Sequence, residues 1–269
     1  MSDSLIVTTA AKLSPETLRV AQELSSELNA PYLPRLGRSL PDVFAELGAA
    51  RLLVVGSDHL RLVDRASGAE YFYHPNMFLS RGSVVLGGGP DHFLEAVALK
   101  PGDHLLDCTL GFASEAALAS LVLGETGKVV GLESSPALAA ITQRGLQTFV
   151  LRSAPLEAAL RRIEVHTADH HEYLSLCETG SYDVVYFDPF FEKPLAGSEH
   201  SISPLFLFGN PATLSPEAVA EARRIARRRI VIKHPSHVTL PDPLPGWVTL
   251  TVGGRKSRVV YSVLEAEKE

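Results

Sequence analysis

The stretches Leu105-Leu106-Asp107-Cys108-Thr109-Leu110-Gly111-Phe112-Ala113 and Tyr182-Asp183-Val184-Val185-Tyr186-Phe187-Asp188-Pro189-Phe190-Phe191 decide the fold of this chain. Each is an apolar strand that runs into a carboxylate. The first then turns through a short loop into a helical pattern. The second stops at a proline followed by two aromatic rings. Working outward, strand and helix patterns alternate from Asp91 onward. Helices are expected over 92–99, 113–123, 136–148, 170–177 and 215–226, and strands over 104–108, 128–132, 162–166, 183–187 and 229–233. Those strands are near-continuous apolar runs, as expected where helices cover both faces of a parallel sheet. Two more strands, 247–252 and 258–264, turn at Gly253-Gly254 and close the sheet as an antiparallel pair. The expectation is an α/β fold with a mixed, mostly parallel sheet of seven strands.

Before Asp91 the pattern differs. Residues 5–9 read as a strand, and Ser14-Pro15-Glu16 opens a helix with a capping serine, a first-turn proline and an acid. A second helix is expected over 39–47 and strands over 51–55, 60–63 and 70–73, the last two joined by a turn at Ser67-Gly68. This makes a small N-terminal α/β domain over 1–75, a connector over 76–90 and a main domain over 91–269. In the connector the run Gly87-Gly88-Gly89-Pro90 denies regular structure and permits a hinge.

Of 269 residues, 45% are hydrophobic and 21% charged, enough apolar material for one core domain and a small appendage. No apolar run approaches a membrane span, and Met1-Ser2-Asp3-Ser4 lacks the charged-then-apolar pattern of a signal peptide. Cys108 and Cys177 are too few for a disulfide framework or a cysteine zinc site. A cytoplasmic protein, not bound to membrane, is expected. The net charge of −6 argues against coating nucleic acid by bulk charge. A local basic face stays open. Arg223, Arg224, Arg227, Arg228 and Arg229 crowd one segment with Lys233 after it, and Arg255, Lys256 and Arg258 form a second group. These read equally as solvated faces or as phosphate contacts.

Ligands of open parallel sheets sit beyond the carboxyl ends of the strands. Asp107, Glu133, Asp169 and Asp188 fall at or just past four such ends, which points to one polar ligand spanning the sheet edge. The loop after Asp107 has one glycine, Gly111, and lacks G-x-G-x-x-G spacing, which disfavours a nicotinamide enzyme. Asp107 suits a cation such as the amino group of a methionine moiety, or else caps the following helix or turn. Glu133 can accept both hydroxyls of a ribose, or join Ser134, Ser135 and Pro136 at a helix cap. Asp169 can receive an adenine amino group, serve as an N-cap before His170, or do both.

Asp188-Pro189-Phe190-Phe191 is the sharpest signal. An amine on an aromatic base is a poor nucleophile, because its lone pair is delocalised into the ring. A carboxylate and a backbone carbonyl that accept its two hydrogens leave that pair aimed at an electrophilic methyl. The rate gain then comes from alignment and fixed dipoles. Pro189 stiffens the turn, and Phe190 or Phe191 stacks on the base. The competing reading is a proline-terminated strand with two core phenylalanines. His166, His170 and His171 cluster without ligand spacing, so no metal is expected.

Residues 107–113, the strand end at Glu133 and Val184-Val185-Tyr186-Phe187-Asp188-Pro189-Phe190-Phe191 resemble the Rossmann-like class I S-adenosylmethionine-dependent methyltransferases. More narrowly, residues 91–264 are similar to the bacterial small-subunit ribosomal RNA guanine-N2 methyltransferase family. The shared patterns are a D-x-T-x-G loop, a V-V-Y-x-D-P-x-F strand end and a basic-then-apolar strand at Arg228-Arg229-Ile230-Val231-Ile232-Lys233. Phe72-Tyr73-His74-Pro75-Asn76 looks more like uncharacterised Gram-positive relatives. The resemblance implies S-adenosylmethionine as cofactor, with contacts at Ser114, Glu115, Glu133, Ser134, Ala168, Asp169 and Asp188. It also implies a base amine of ribosomal RNA or a ribosomal subunit as acceptor, guanine N2 first. The chain departs from the pattern at Ala113, where the class has a second glycine, and at Asp188-Pro189-Phe190-Phe191, where amino-methylating enzymes commonly carry Asp-Pro-Pro-Tyr. A small aromatic metabolite or a protein as acceptor, and a non-catalytic cofactor-binding module, are the other readings.

Overall fold

The computed structural model describes residues 4–190, 204–210, 214–254 and 257–267. Its first part comprises β1 (Leu5–Thr9), α1 (Pro15–Glu27), α2 (Leu40–Leu47), β2 (Arg51–Val55), β3 (Leu60–Asp64) and β4 (Glu70–Tyr71). The four strands pair in the order β1-β2-β3-β4, with β1 parallel to β2 and the other pairs antiparallel. Ser14 starts α1 as its sequence predicts: the Ser14 hydroxyl accepts from the Thr17 amide at 3.1 Å, and the Ser14 amide donates to the Thr17 hydroxyl at 2.9 Å. Alternation then sorts the strand side chains. Ile6, Leu52 and Val54 pack with Val43 and Phe44 of α2, while Val7, Leu53 and Val55 face the rest of the molecule.

The chain continues through α3 (Asn76–Leu86), α4 (His92–Val97), β5 (His104–Asp107), α5 (Ser114–Leu123), β6 (Lys128–Glu133), α6 (Pro136–Thr148), α7 (Ala154–Arg161), β7 (Ile163–Thr167), α8 (His170–Leu176), β8 (Tyr182–Phe187), α9 (Pro204–Phe208), α10 (Pro216–Ile225), β9 (Ala226–Pro235), β10 (Val248–Val252) and β11 (Val259–Glu265). The second sheet has seven strands in the order β10-β11-β9-β8-β5-β6-β7. β11 is antiparallel to β9 and β10, and the remaining pairs are parallel. This is the expected mixed, mostly parallel Rossmann-like sheet. After β5 the strands step outward to β6 and β7, then cross back to β8 on the other flank of β5. The strand order therefore reverses between β5 and β8, the crevice where open α/β sheets bind ligands.

Three helices lie outside the sequence expectation: α3, α7 and α9. The connector is corrected most. Its glycine run is irregular as expected, yet residues 76–86 form α3. Phe78, Arg81, Gly82 and Val85 share one face of α3, at helical spacing. Gly82 lets that face approach α7 closely, since a Cβ there would stand 2.8 Å from Leu156 Cδ2. Tertiary packing here outweighs the roughly 1 kcal/mol that an interior glycine costs a helix. Boundaries also move: β4 ends at Tyr71, β9 runs from Ala226 to Pro235, and α4 ends at Val97. One apolar cluster runs unbroken from Val7, Leu62 and Tyr71 through Phe78 and Phe93 to Leu105, Ala117 and Tyr186. Among the described residues no helix is long and apolar enough to cross a membrane.

Candidate active site

The loop after β5 is pinned at both sides. The Cys108 amide donates to the Tyr186 carbonyl at 2.9 Å, and the Leu110 amide to the Leu132 carbonyl at 3.0 Å. Gly111 and Ala113 take left-handed conformations, φ +50° and +56°, which turn the chain into α5. The Gly111 carbonyl accepts from the Thr142 hydroxyl at 2.9 Å and the Tyr71 hydroxyl at 3.3 Å, tying the loop to α6 and to β4. Asp107 is 2% exposed, and its Oδ1 accepts from the Thr109 amide at 3.0 Å. Burial pushes its carboxyl up to about 7, against the bonds from Thr109. Glu133 closes β6, where Oε1 accepts from the Ser135 amide at 2.9 Å. Burial raises this carboxyl too, opposed by backbone amides of Ser135, Gly111 and Ser134.

Beyond β8, the Asp188 amide donates to the Thr109 hydroxyl at 2.7 Å, which joins the two loops. The Asp188 side chain is crowded by protein yet 36% exposed, as befits a cavity wall. Crowding raises its carboxyl to about 6, with Lys233 pulling it down and Glu115 pushing it up. Phe190 meets Phe206 edge to face, with ring centroids 5.2 Å apart. Phe191 lies outside the described residues.

Three residues that the sequence reading did not place in the site complete it. Lys233 Nζ stands 2.6 Å from Asp188 Oδ2 and 3.2 Å from Glu115 Oε1. Arg81 Nη1 reaches the same Glu115 oxygen at 2.7 Å, and Arg81 Nε pairs with Asp91 at 2.8 Å. Burial disfavours the Glu115 carboxylate, but Lys233 and Arg81 outweigh it and hold the group below its usual range. Lys233 closes the apolar run Ile230-Val231-Ile232 as Asp107 and Asp188 close theirs, so the rule used for the acids could have found it had it been applied to cations. Arg81 was hidden with α3.

A cavity of about 610 Å³ opens at the carboxyl ends of β5, β6 and β8. Its wall brings together Asp107, Gly111, Ser114, Glu115, Glu133, Ser134, Ala168, Asp188, Pro189 and Phe190, all expected from sequence. Arg81, Asp91 and Lys233 line it as well. Asp169 is not part of that wall. Its carboxylate caps α8, accepting from the His171 amide at 2.8 Å, while its neighbours Ala168 and His170 face the cavity. Asp169, His170 and His171 each put one ligand-type atom within 4.8 Å of the others, and His171 also reaches Ser215 at 3.1 Å.

The arginine segment is paired within the chain, although Arg227 stays exposed. Arg223 lies over the Trp247 ring at 4.7 Å and donates to the Glu265 carbonyl at 3.1 Å. Arg224 holds Glu221 and the carbonyls of Leu174 and Cys177. Arg227 pairs with Asp183, Arg228 with Asp103, and Arg229 donates to the Ala96 carbonyl. All five guanidinium groups thus have partners within the chain. Arg255 and Lys256 lie outside the described residues.

Comparison with known proteins follows the same line. "Uncharacterized protein YpiP" of Bacillus subtilis is 38% identical over 230 residues, covering 85% of this chain and 88% of that one. "Ribosomal RNA small subunit methyltransferase J" of Thioalkalivibrio sulfidiphilus is 27% identical over 260 residues, 91% of this chain and 92% of that protein. A crystal structure of a SAM-dependent methyltransferase from Neisseria gonorrhoeae matches 97% of this chain and 96% of its own, with a TM-score of 0.64 at 16% identity, a likeness of fold alone. The family described as "Putative SAM-dependent methyltransferase" matches residues 52–248, from β2 to the start of β10, and the chain belongs to it: an S-adenosylmethionine-dependent methyltransferase enzyme.

Proposed function

We propose that this enzyme methylates an exocyclic base amine, guanine N2 of small-subunit ribosomal RNA. The observation that carries the reading is the Asp188–Pro189–Phe190 turn, which faces the same cavity as Asp107 and Glu133. The name of the Thioalkalivibrio relative supports the RNA acceptor.

The residues present fit the cofactor. Asp107 is a buried carboxylate with no cation beside it among the described residues, suited to an ammonium. Glu133 is a second one, suited to a ribose diol, with Gly111, Ser114 and Ser134 alongside. Ala168 and His170 line the wall where an adenine would lie. When bound, S-adenosylmethionine supplies an electrophilic methyl on a sulfonium. Glu115 has one oxygen taken by Arg81 and Lys233 and Asp169 caps α8, so we assign neither a primary cofactor contact. Asp188 and the Pro189 carbonyl accept the two N–H bonds of the acceptor amine. Thr109 holds the Asp188 backbone in place, and Phe190 flanks the flat base. As the amine nitrogen bonded the methyl carbon, the carbon–sulfur bond of the sulfonium would break and S-adenosylhomocysteine would leave as a neutral thioether, and the Asp188 carboxylate would take the proton the nitrogen then sheds. The base must leave its stack to reach this turn.

The test is transfer of labelled methyl from the cofactor to small ribosomal subunits that lack the modification. Label in N2-methylguanosine is the expected result, and absence of label from RNA defeats the acceptor assignment. The pairing of all five arginines within the chain favours a second reading, a small aromatic amine as acceptor. RNA binding without a salt dependence, or no RNA binding at all, would support that reading.

A further inference from the structure

Asp188 does not stand alone at the tip of β8. The register sets Tyr186, Val231 and Val263 side by side across β8, β9 and β11, with Tyr261 opposite Lys233. One step further along the strands, Asp188, Lys233 and Tyr261 therefore share a face of the sheet. Lys233 ends the run Ile230-Val231-Ile232, and its side chain is only 22% exposed. An ammonium in such a place is costly unless it is paired. Lys233 is paired twice, with Asp188 and with Glu115. Arg81 shares the Glu115 oxygen and grips Asp91 through Nε and Nη2 at 2.8 and 3.0 Å. From Asp91 to Asp188 the charges alternate in sign across five residues.

We propose that Lys233 is a positioning residue for methyl transfer: its ammonium fixes Asp188 Oδ2 and keeps the carboxylate ionised, leaving Oδ1 to accept from the amine, while Arg81 neutralises Glu115 so that Lys233 serves Asp188. The part played by Asp188 rests on the acceptor reading above. Among the described residues, the charged and titratable groups around Asp188 include Lys233 of β9, Glu115 of α5, Arg81 of α3, Asp107 of β5, Tyr186 of β8 and Tyr261 of β11, with Cys108, Glu133 and His170 in the same cavity wall. Asp91 stands behind Arg81, and His92 lines the same cavity. Without the Lys233 charge, Asp188 faces Glu115 and Asp107, and among the described residues Arg81 is left to offset them. It then takes up a proton, and a protonated carboxyl donates where an acceptor is required.

The experiment reads Asp188 directly, by carbon NMR titration of the full-length protein labelled at its aspartate carboxyls, with the signal assigned through D188N. The wild-type signal is expected to move near pH 6. In K233M it is expected at least about one unit higher, in K233R close to wild type, and in E115Q lower, because Lys233 then serves Asp188 alone. In methyl transfer at pH 7, K233M is expected to lose about twofold in kcat for a titration one unit higher and about tenfold for a titration two units higher, with KM for the cofactor little changed. The loss should shrink toward pH 9, and K233R should restore the rate. A titration unmoved in K233M and E115Q overturns the proposal, whatever the acceptor. Should K233M fail to fold, E115Q decides alone. A wild-type enzyme that labels no RNA, with the titration shifted as stated, overturns the acceptor assignment and upholds the role of Lys233.

Discussion

At Asp188, crowding by protein raises the carboxyl to about 6, and protonation below that pH would disable it as an acceptor. The rate of methyl transfer is therefore expected to climb as pH rises through about 6, and a profile flat from pH 5 to 8 would contradict this role. Asp188→Asn is expected to cut kcat by about 10²–10³-fold, the scale of losing one well-placed polar group, while calorimetry with S-adenosylhomocysteine shows affinity within a few-fold. Asp107 behaves differently. Its folded carboxyl titrates near 7, above the unfolded value of about 4. The folded state holds the extra proton between those values, so the ligand-free protein loses stability as pH rises from about 4 to about 7. Asp107→Asn is expected to raise Tm of the ligand-free protein at pH 8 relative to wild type, yet to remove the Tm gain on adding S-adenosylhomocysteine. Thermal melts at pH 5 and pH 8, with and without that ligand, check both signs. These carboxylates were legible in sequence because each ends an apolar run. The direction in which Asp169 turns was not, since a helix cap and a ligand contact call for the same residue type at the same position.

At the scale of elements, β6 and the loop after β5 are packed tightly enough to test. Gly131 of β6 pairs with Asp107 on one side and Val165 on the other. A Cβ at Gly131 would overlap the Leu110 side chain, which is 4% exposed and cannot swing into solvent. Gly131→Ala is expected to destabilise the protein by about 1–3 kcal/mol, as overpacked cores do. It should also weaken S-adenosylhomocysteine binding, because Leu110 belongs to the cofactor-side loop. Chemical denaturation and calorimetry read the two effects, and wild-type values for both would show that the loop is free to move. The strands were legible because their apolar runs are long and end in polar residues. α3 was not, because the neighbouring glycine run and Gly82 lower its helical propensity, and its face becomes apolar only against α5 and α7.

Across the whole molecule, the two sheets share one apolar cluster, and Tyr71 of the first sheet reaches the Gly111 carbonyl in the loop after β5. A chain begun at residue 91 would expose the Phe112 ring on which Tyr71 stacks and the face of α5 that α3 packs against, and it would lack Arg81. Such a chain is expected to lose cooperative unfolding and cofactor binding together; a sharp melt near the full-length Tm would refute this. By itself the sequence determined the strand-and-helix alternation, the antiparallel closing pair and the row of acids at the strand tips, because spacing along the chain sets which residues share a face. Only the tertiary structure decided which charges meet. Lys233 and Glu115 are 118 residues apart, Lys233 and Asp188 are 45 apart, and the five arginines find partners on other elements. Ion pairing depends on distance in space and on burial, and both are fixed only once β8, β9 and α5 lie side by side.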